Sequence, residues 1–167
     1  MTTVTTSPVI VRYGAAADHA RVAALHDRCS DESRHRRFHA PLPRTPLALV
    51  RQTLEPENGW SVVADLDGEL VGIASVGPLS TCDLEVGILV EDAHQGRGIG
   101  TRLLLDVAVE AGTRGYRTLL CLTQPDNDAV LATVARAGLP SRTSWHDGLM
   151  SVVIDLAAGE LDLQVPA

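Results

Sequence analysis

Three glycines alternate in the segment 90–105, VEDAHQGRGIGTRLLL, between a β-like run and a helical run. The first N–H groups of a helix have no partner within the helix, and glycine beside them lets a phosphate approach the backbone. Gly96, Gly98 and Gly100 stand at that junction, and Arg97 could add a charge-assisted hydrogen bond. The spacing predicts an anion site; the alternative is a glycine-rich connection that only turns the chain.

Two common phosphate-binding patterns are excluded by residue type. The Walker loop requires a lysine after its last glycine, but all 14 basic side chains of this sequence are arginine. The dinucleotide fingerprint GxGxxG requires a last glycine at position 101 or 103, depending on the register, but Thr101 and Leu103 stand there. Schiff-base catalysis is excluded as well, because it needs a lysine.

Apolar periodicity predicts the elements that position this loop. Alternating runs indicate strands at 9–13, 83–90 and 118–123 and hairpins around Asp67-Gly68 and Asp147-Gly148, and helical stripes indicate helices at 18–29, 47–54, 98–113 and 128–137. The element order predicts an α/β fold, of the three-layer α+β kind, in which helices flank a mixed sheet. The length predicts one domain over residues 1–156, followed by a tail, 157–167, that frays.

The hexamer 95–100, QGRGIG, resembles the Q/R-x-x-G-x-G/A signature of the GNAT acyltransferase superfamily, with Gln95, Gly98 and Gly100 at the matching positions. The resemblance extends over about 60–139, where NDAVLATVARAGL is similar to another segment of the family. It implies a GNAT-like mixed central sheet in which the strands at 83–90 and 118–123 splay apart. Acyl-coenzyme A would lie in that gap.

The same resemblance implies which residues hold acetyl-CoA, the expected co-substrate, without any metal. Its pyrophosphate would lie on the amides of residues 95–100, its pantetheine arm would pair with the backbone around 88–90, and Asn127 would help to position that arm. The expected binding residues are Ile88, Leu89, Val90, Gln95, Gly96, Arg97, Gly98, Ile99, Gly100, Thr101 and Asn127.

A second resemblance lies in the segment SDESRHRRF, residues 30–38. It is similar to the S-x-E-S-x-Y-x-R-F segment of the GNAT domains of bacterial protein-lysine acetyltransferases. The matching residues are Ser30, Glu32, Ser33, Arg37 and Phe38, whereas His35 replaces the tyrosine. A solvated polar loop between two helices is the alternative interpretation of this stretch.

Transfer to an amine requires a group that takes up its proton. A lysine-like amine has a pKa near ~10.4, so freeing it near neutral pH costs about 4 kcal/mol. Glu85 is the predicted general base, because it faces away from the apolar side of its strand and Gly87 leaves room beside it for a substrate. Asp83 is the alternative base on the same face. Glu91 and Asp92 are less favoured as bases because they follow the strand.

The group that protonates the leaving thiolate stays open. Several GNAT enzymes use a tyrosine after the asparagine-bearing helix, but Tyr13 and Tyr116 do not match that position. Cys121, Ser141, Ser144 or water could serve.

Composition restricts the partners. A formal net charge of -7 and a pI near 5.2 argue against a nucleic-acid partner, and no apolar run is long enough for a membrane span.

The cysteines and histidines do not indicate a metal site. The three cysteines are scattered, which indicates reduced thiols, and Arg36 between His35 and His39 stands where a metalloprotease motif needs glutamate. Without a leader-like N-terminus, the expected location is cytoplasmic.

The sequence thus predicts an acetyl-CoA-dependent N-acetyltransferase, monomeric or homodimeric, that acetylates a primary amine. The acceptor is a protein lysine or a small-molecule amine, and its pocket would be built by the segment 28–58 and the closing hairpin. The alternative is a sensor or interaction module that binds acetyl-CoA without turnover.

Overall fold

The computed structural model describes residues 8–157, so the tail that was expected to fray lies, except for Ala157, outside the described residues. The strands are β1 (Ile10–Tyr13), β2 (Trp60–Leu66), β3 (Glu69–Pro78), β4 (Asp83–Val90), β5 (Thr118–Thr123), β6 (Ser141–His146) and β7 (Leu149–Asp155). The helices are α1 (His19–Arg28), α2 (Asp31–Phe38), α3 (Leu47–Leu54), α4 (Ile99–Thr113) and α5 (Asp128–Ala137). The α/β fold class is confirmed.

All seven strands form one mixed sheet in the order β1-β2-β3-β4-β5-β7-β6. Every neighbouring pair is antiparallel except β4 and β5, which run parallel. These two strands pair only at three positions, residues 83–85 with residues 118–120, and then separate. Residues 86–90 remain paired with β3 alone, so the other edge of β4 is open, as expected for a splayed sheet.

Helices cover both faces of the sheet. The apolar stripe of α4, which includes Leu103, Val107 and Ala111, is fully buried against the sheet in the larger core cluster. A second cluster joins α1 and α3 to the opposite face. Burial on both faces explains why β2 and β3 are nearly continuous apolar runs.

Both predicted hairpin turns are confirmed. Asp67 and Gly68 have φ angles of 52° and 87°, and Asp147 and Gly148 have φ angles of 50° and 77°. Two successive residues in the left-handed region are what a tight two-residue hairpin connection requires.

The polar segment between α1 and α3 is not a loop throughout, because it contains α2. Ser30 caps this helix by accepting a hydrogen bond from the Ser33 amide at 3.1 Å, and the helix ends at Phe38, followed by the C-cap residue His39, whose φ is 56°. Its buried side chain is Arg34, which donates to the carbonyl oxygens of His26 and Cys29 and to two carbonyls further along. The helix is anchored by polar contacts, so it lacks the apolar stripe by which sequence patterns identify helices.

Candidate functional site

The gap between β4 and β5 forms a cavity of about 590 Å³. It is bounded by β4, the glycine loop, the start of α4, β5 and α5. Ten of the eleven residues expected to bind the cofactor line it: Ile88, Leu89, Val90, Gln95, Gly96, Gly98, Ile99, Gly100, Thr101 and Asn127. Arg97 does not; its side chain is exposed, with Nη1 3.3 Å from His94 Nδ1.

The glycine loop combines two kinds of glycine. Gly96 and Gly98 have φ angles of 74° and 81°, a conformation that glycine adopts without strain. Gly98 is the N-cap of α4 and has no side chain to accept a hydrogen bond, so the first amides of the helix have no side-chain cap. A Cβ at Gly100 would lie 3.6 Å from Thr133 Oγ1, in ordinary contact distance, across the cavity wall.

Gln95 closes the loop onto the structure around it. Its Nε2 donates to the Val90 carbonyl oxygen at 3.0 Å and to Ser33 Oγ at 3.1 Å. The side chain therefore ties the loop to the end of β4 and to α2. The sequence analysis did not predict this contact.

The serines of the SDES segment bind Asp92, directly after β4. Ser30 donates to its carboxylate through both its amide, at 2.8 Å, and its hydroxyl, at 2.6 Å, and Ser33 Oγ donates at 2.8 Å. Burial would raise the pKa of Asp92, but these hydrogen bonds outweigh burial and lower it. Glu91 Oε2 is 3.0 Å from Arg28 Nε. Both carboxylates are thus engaged by other side chains, and neither lines the cavity.

Glu85 lies where β4 and β5 begin to separate. Its partner on β5, Leu120, forms the last residue pair between the two strands. Its neighbours Leu84 and Val86 are buried in the core, whereas the Glu85 side chain is exposed on the opposite face and lines the cavity. This placement leaves a carboxylate accessible at the narrow end of the gap.

Asp83 is held differently. It accepts hydrogen bonds from the Ser80 hydroxyl, at 2.6 Å, and from the Thr118 hydroxyl, and these contacts lower its pKa. It does not line the cavity. A carboxylate with a lowered pKa is a weaker proton acceptor, so the geometry favours Glu85 over Asp83 as a base.

Among the candidate general acids, only Cys121 lines the cavity. Burial raises the pKa of its thiol to about 11, so it stays protonated at neutral pH. Ser141 and Ser144 are exposed on β6, and Tyr116 packs against Trp60 with 6.4 Å between the ring centroids.

Arg37 is the residue whose placement the sequence did not predict. Its guanidinium occupies the space beside Gly87 that was expected to be free for a substrate, and a Cβ at Gly87 would overlap it. Nη2 donates to Ser75 Oγ at 3.1 Å, and Nε is buried without a hydrogen-bond partner. The match of Arg37 to a family segment was the one available signal, but it assigned no position to the side chain.

Two features are absent from residues 8–157. No three His, Cys, Asp or Glu side chains are grouped so that they could hold a metal ion. None of the helices described is long and apolar enough to cross a bilayer.

Comparison with known proteins gives consistent matches. A sequence profile of the acetyltransferase (GNAT) family matches residues 22–139. N-alpha-acetyltransferase RimI of Mycobacterium tuberculosis is 34% identical over 140 residues, which cover 81% of this chain and 81% of RimI. The GNAT domain of S. lividans PAT matches at 28% identity with a TM-score of 0.79, over 88% of this chain and 90% of its own. Salmonella typhimurium yncA, solved with its cofactor acetyl-CoA, matches at 20% identity with a TM-score of 0.68, over 91% of this chain and 95% of its own. The chain therefore belongs to the GNAT acetyltransferase family and is an acyltransferase.

Proposed function

We propose that the protein transfers the acetyl group of acetyl-CoA directly to a primary amine, on a protein lysine or a small molecule. The observation that carries this proposal is the position of Glu85, an accessible carboxylate at the narrow end of the β4–β5 gap. The relatives support the class of reaction, since RimI is an N-alpha-acetyltransferase and yncA was solved with acetyl-CoA.

Acetyl-CoA would occupy the 590 Å³ cavity. The phosphates would accept hydrogen bonds from the amides of the glycine loop and the first turn of α4, where the helix dipole adds roughly 0.3–1 kcal/mol per charge. The pantetheine amides would pair with the open edge of β4 at residues 86–90, which has no strand partner on that side. Asn127, which donates to Thr123 Oγ1 at 2.7 Å, fixes the start of α5 against β5 beside this arm.

The acetyl transfer step needs one base. The neutral amine nitrogen attacks the thioester carbonyl carbon, and Glu85 takes the proton that the nitrogen loses, directly or through water. A C–N bond forms, the C–S bond breaks, and coenzyme A leaves as a thiolate that takes a proton from water. With its pKa near 11, the Cys121 thiol is a poor proton donor to a thiolate of ordinary basicity.

Glu85→Gln tests this assignment, because glutamine keeps the size of the side chain but cannot accept the proton. We expect acetyl-CoA affinity, measured by calorimetry, to persist while turnover falls by roughly 10²–10⁴, the usual contribution of a general base. The remaining rate should rise with pH as more acceptor is deprotonated in solution. Asp83→Asn is the matched control and should retain most of the wild-type turnover.

A folded Glu85→Gln protein with near-normal turnover at neutral pH, where acyl transfer limits the rate, would rule Glu85 out as the base. Acetyl-CoA binding by the wild-type protein without coenzyme A release across a broad amine panel would instead favour the sensor function.

A further inference from the structure

A second cavity, of about 260 Å³, adjoins the first one. It lies between α3 and the face of the sheet formed by β3 and β4, and it shares four wall residues with the larger cavity: Arg37, Phe38, Glu85 and Gly87. The two cavities therefore meet where the acetyl group would be transferred. Acetyl-CoA would fill the larger cavity and not this second space.

Arg37 brings an unpaired positive charge to that junction. Within residues 8–157 its guanidinium forms no ion pair with a carboxylate, and its one hydrogen bond is to the hydroxyl of Ser75. The buried Nε has no partner, and the ring of Phe38 lies 5.0 Å from Cζ. Burial of the guanidinium lowers the pKa of Arg37, and the nearby carboxylate of Glu85 only partly offsets this effect because it forms no ion pair with Arg37. Such a group, open to a cavity, points to an anionic ligand.

Glu85 supplies the opposite charge on the same wall. The remaining wall of the second cavity carries no charged side chain; it includes Leu49, Gln52, Thr53, Ser75 and Leu79. A ligand that fits this pattern carries an ammonium group for Glu85 and a carboxylate for Arg37, joined to a neutral body. The volume is below the ~300–1,000 Å³ of sites for drug-sized ligands, which favours a small molecule.

We propose that the second cavity binds the acetyl acceptor and that this acceptor is a free amino acid, whose carboxylate is held by Arg37. This inference rests on the proposed acetyl transfer and narrows its substrate class. Arg37 is then a specificity-determining residue. It binds the carboxylate and takes no proton, and the neutral wall of the cavity accommodates an uncharged side chain.

The experiment compares acceptors that differ only in the carboxylate. Coenzyme A release is measured chromatographically for neutral amino acids, for their amides, for the corresponding decarboxylated amines and for a lysine peptide. We expect kcat/KM to be about 10²-fold higher for an amino acid than for its amide. Arg37→Met should remove this preference by lowering kcat/KM for amino acids about 10²-fold, while the amides change little.

Two further variants distinguish the effect of the Arg37 charge from an effect on folding. Gly87→Ala places a methyl group where the Arg37 guanidinium lies, so it displaces the charge without deleting it and should also reduce the preference for amino acids. Arg44→Met is the matched control, because the Arg44 side chain is 84% exposed and lines neither cavity. It should behave like the wild type, and thermal unfolding verifies that each variant is folded.

The outcomes distinguish this inference from the proposed function. Turnover with amides, decarboxylated amines or the lysine peptide at least equal to that with amino acids overturns the carboxylate site but keeps the acetyltransferase. The same holds if folded Arg37→Met keeps the preference. If no amine releases coenzyme A, the carboxylate site is tested by calorimetry with amino acids in the presence of coenzyme A. Amino-acid binding that is lost in Arg37→Met supports the site, and the absence of such binding overturns it.

Discussion

Gly98 and Gly100 stand in the same loop, but only the backbone conformation of Gly98 selects glycine. Gly98 has a φ of 81°, and nothing lies within 4 Å of the position that its Cβ would take, so its backbone conformation selects glycine. Gly100 lies outside the left-handed region, and its Cβ would meet only Thr133 and Val90 at 3.6–3.9 Å. The protein alone therefore accepts a small side chain at position 100, so a requirement for glycine there would have to come from a ligand close to the backbone.

Gly100→Val is consequently a sharper test of the phosphate site than a substitution at Gly98. We expect it to weaken acetyl-CoA affinity by at least tenfold in calorimetry, because a branched side chain would obstruct the approach of the phosphates. Gly112→Val is the matched control, since it makes the same change at an exposed position of α4 outside the cavity. Equal acetyl-CoA affinities for the two folded variants would show that the phosphates do not bind at this loop.

For individual residues, the sequence predicted the position of side chains that depends only on local spacing along a strand or helix. The alternation along β4 correctly placed Glu85 on the face opposite Leu84 and Val86. It could not place Arg37, because the guanidinium reaches Gly87 across 50 positions of sequence and only the tertiary fold brings them together. The same limit applies to the contact between Gln95 and Ser33.

The elements show how the site is held. Helix α2 carries Ser33 near its start and Arg37 near its end, and it is fixed to the loop after β4 by the hydrogen bonds from Ser30 and Ser33 to Asp92. One carboxylate therefore sets the position of the helix that delivers the guanidinium to the two cavities. The SDES segment thus has a structural role that does not require a protein substrate.

Ser30→Ala tests the anchoring of α2. It removes both the N-cap acceptor for Ser33 and one donor to Asp92, so we expect a loss of about 0.5–2 kcal/mol in unfolding free energy, measured by urea titration. The KM of the amine acceptor should rise while acetyl-CoA affinity changes little, because α2 positions Arg37. Ser144→Ala, on the exposed strand β6, is the control. A destabilised variant with an unchanged acceptor KM would show that the anchoring of α2 does not affect acceptor binding.

The elements that the sequence predicted well are those with an apolar pattern. The bounds expected for α3, β4, β5 and α5 match the structure, because each of these elements has a periodic set of apolar side chains on the side that packs against the core. Helix α2 escaped prediction since its buried residue is an arginine and its anchor is a carboxylate from a distant loop. Polar anchoring leaves no periodic signal.

The protein has a formal net charge of -7, but its arginines and carboxylates also form local clusters. The most buried of these carboxylates is Asp18, 4% exposed, between β1 and α1. It accepts hydrogen bonds from Arg12 at 2.7 and 2.8 Å, from Arg21 at 3.0 Å and from the Ala15 amide at 3.1 Å. This cluster ties the first strand to the first helix at the edge of the sheet opposite β6.

Asp18 makes the stability of the protein depend on pH in the acid range. The hydrogen bond from Arg12 outweighs the effect of burial and lowers the pKa of Asp18 from 3.8 to about 2. A carboxylate with a lowered pKa in the folded state contributes stability above its unfolded pKa, and that contribution is lost as pH falls through the folded value. The stabilisation should thus be complete above about pH 5 and disappear between about pH 4 and 2.

Asp18→Asn should therefore lower the unfolding free energy at pH 7 by about 1–2 kcal/mol, a figure discounted for the partial exposure of Arg12. The difference from the wild type should shrink progressively below about pH 4, because protonation then removes the same charge from the wild-type protein. Urea titrations from pH 7 to pH 2.5 measure it, and Asp27→Asn, on a half-exposed side chain 3.8 Å from Arg44, is the control. A wild-type advantage that stays constant down to pH 2.5, or that is absent at pH 7, would show that the Arg12–Asp18 pair does not control acid stability.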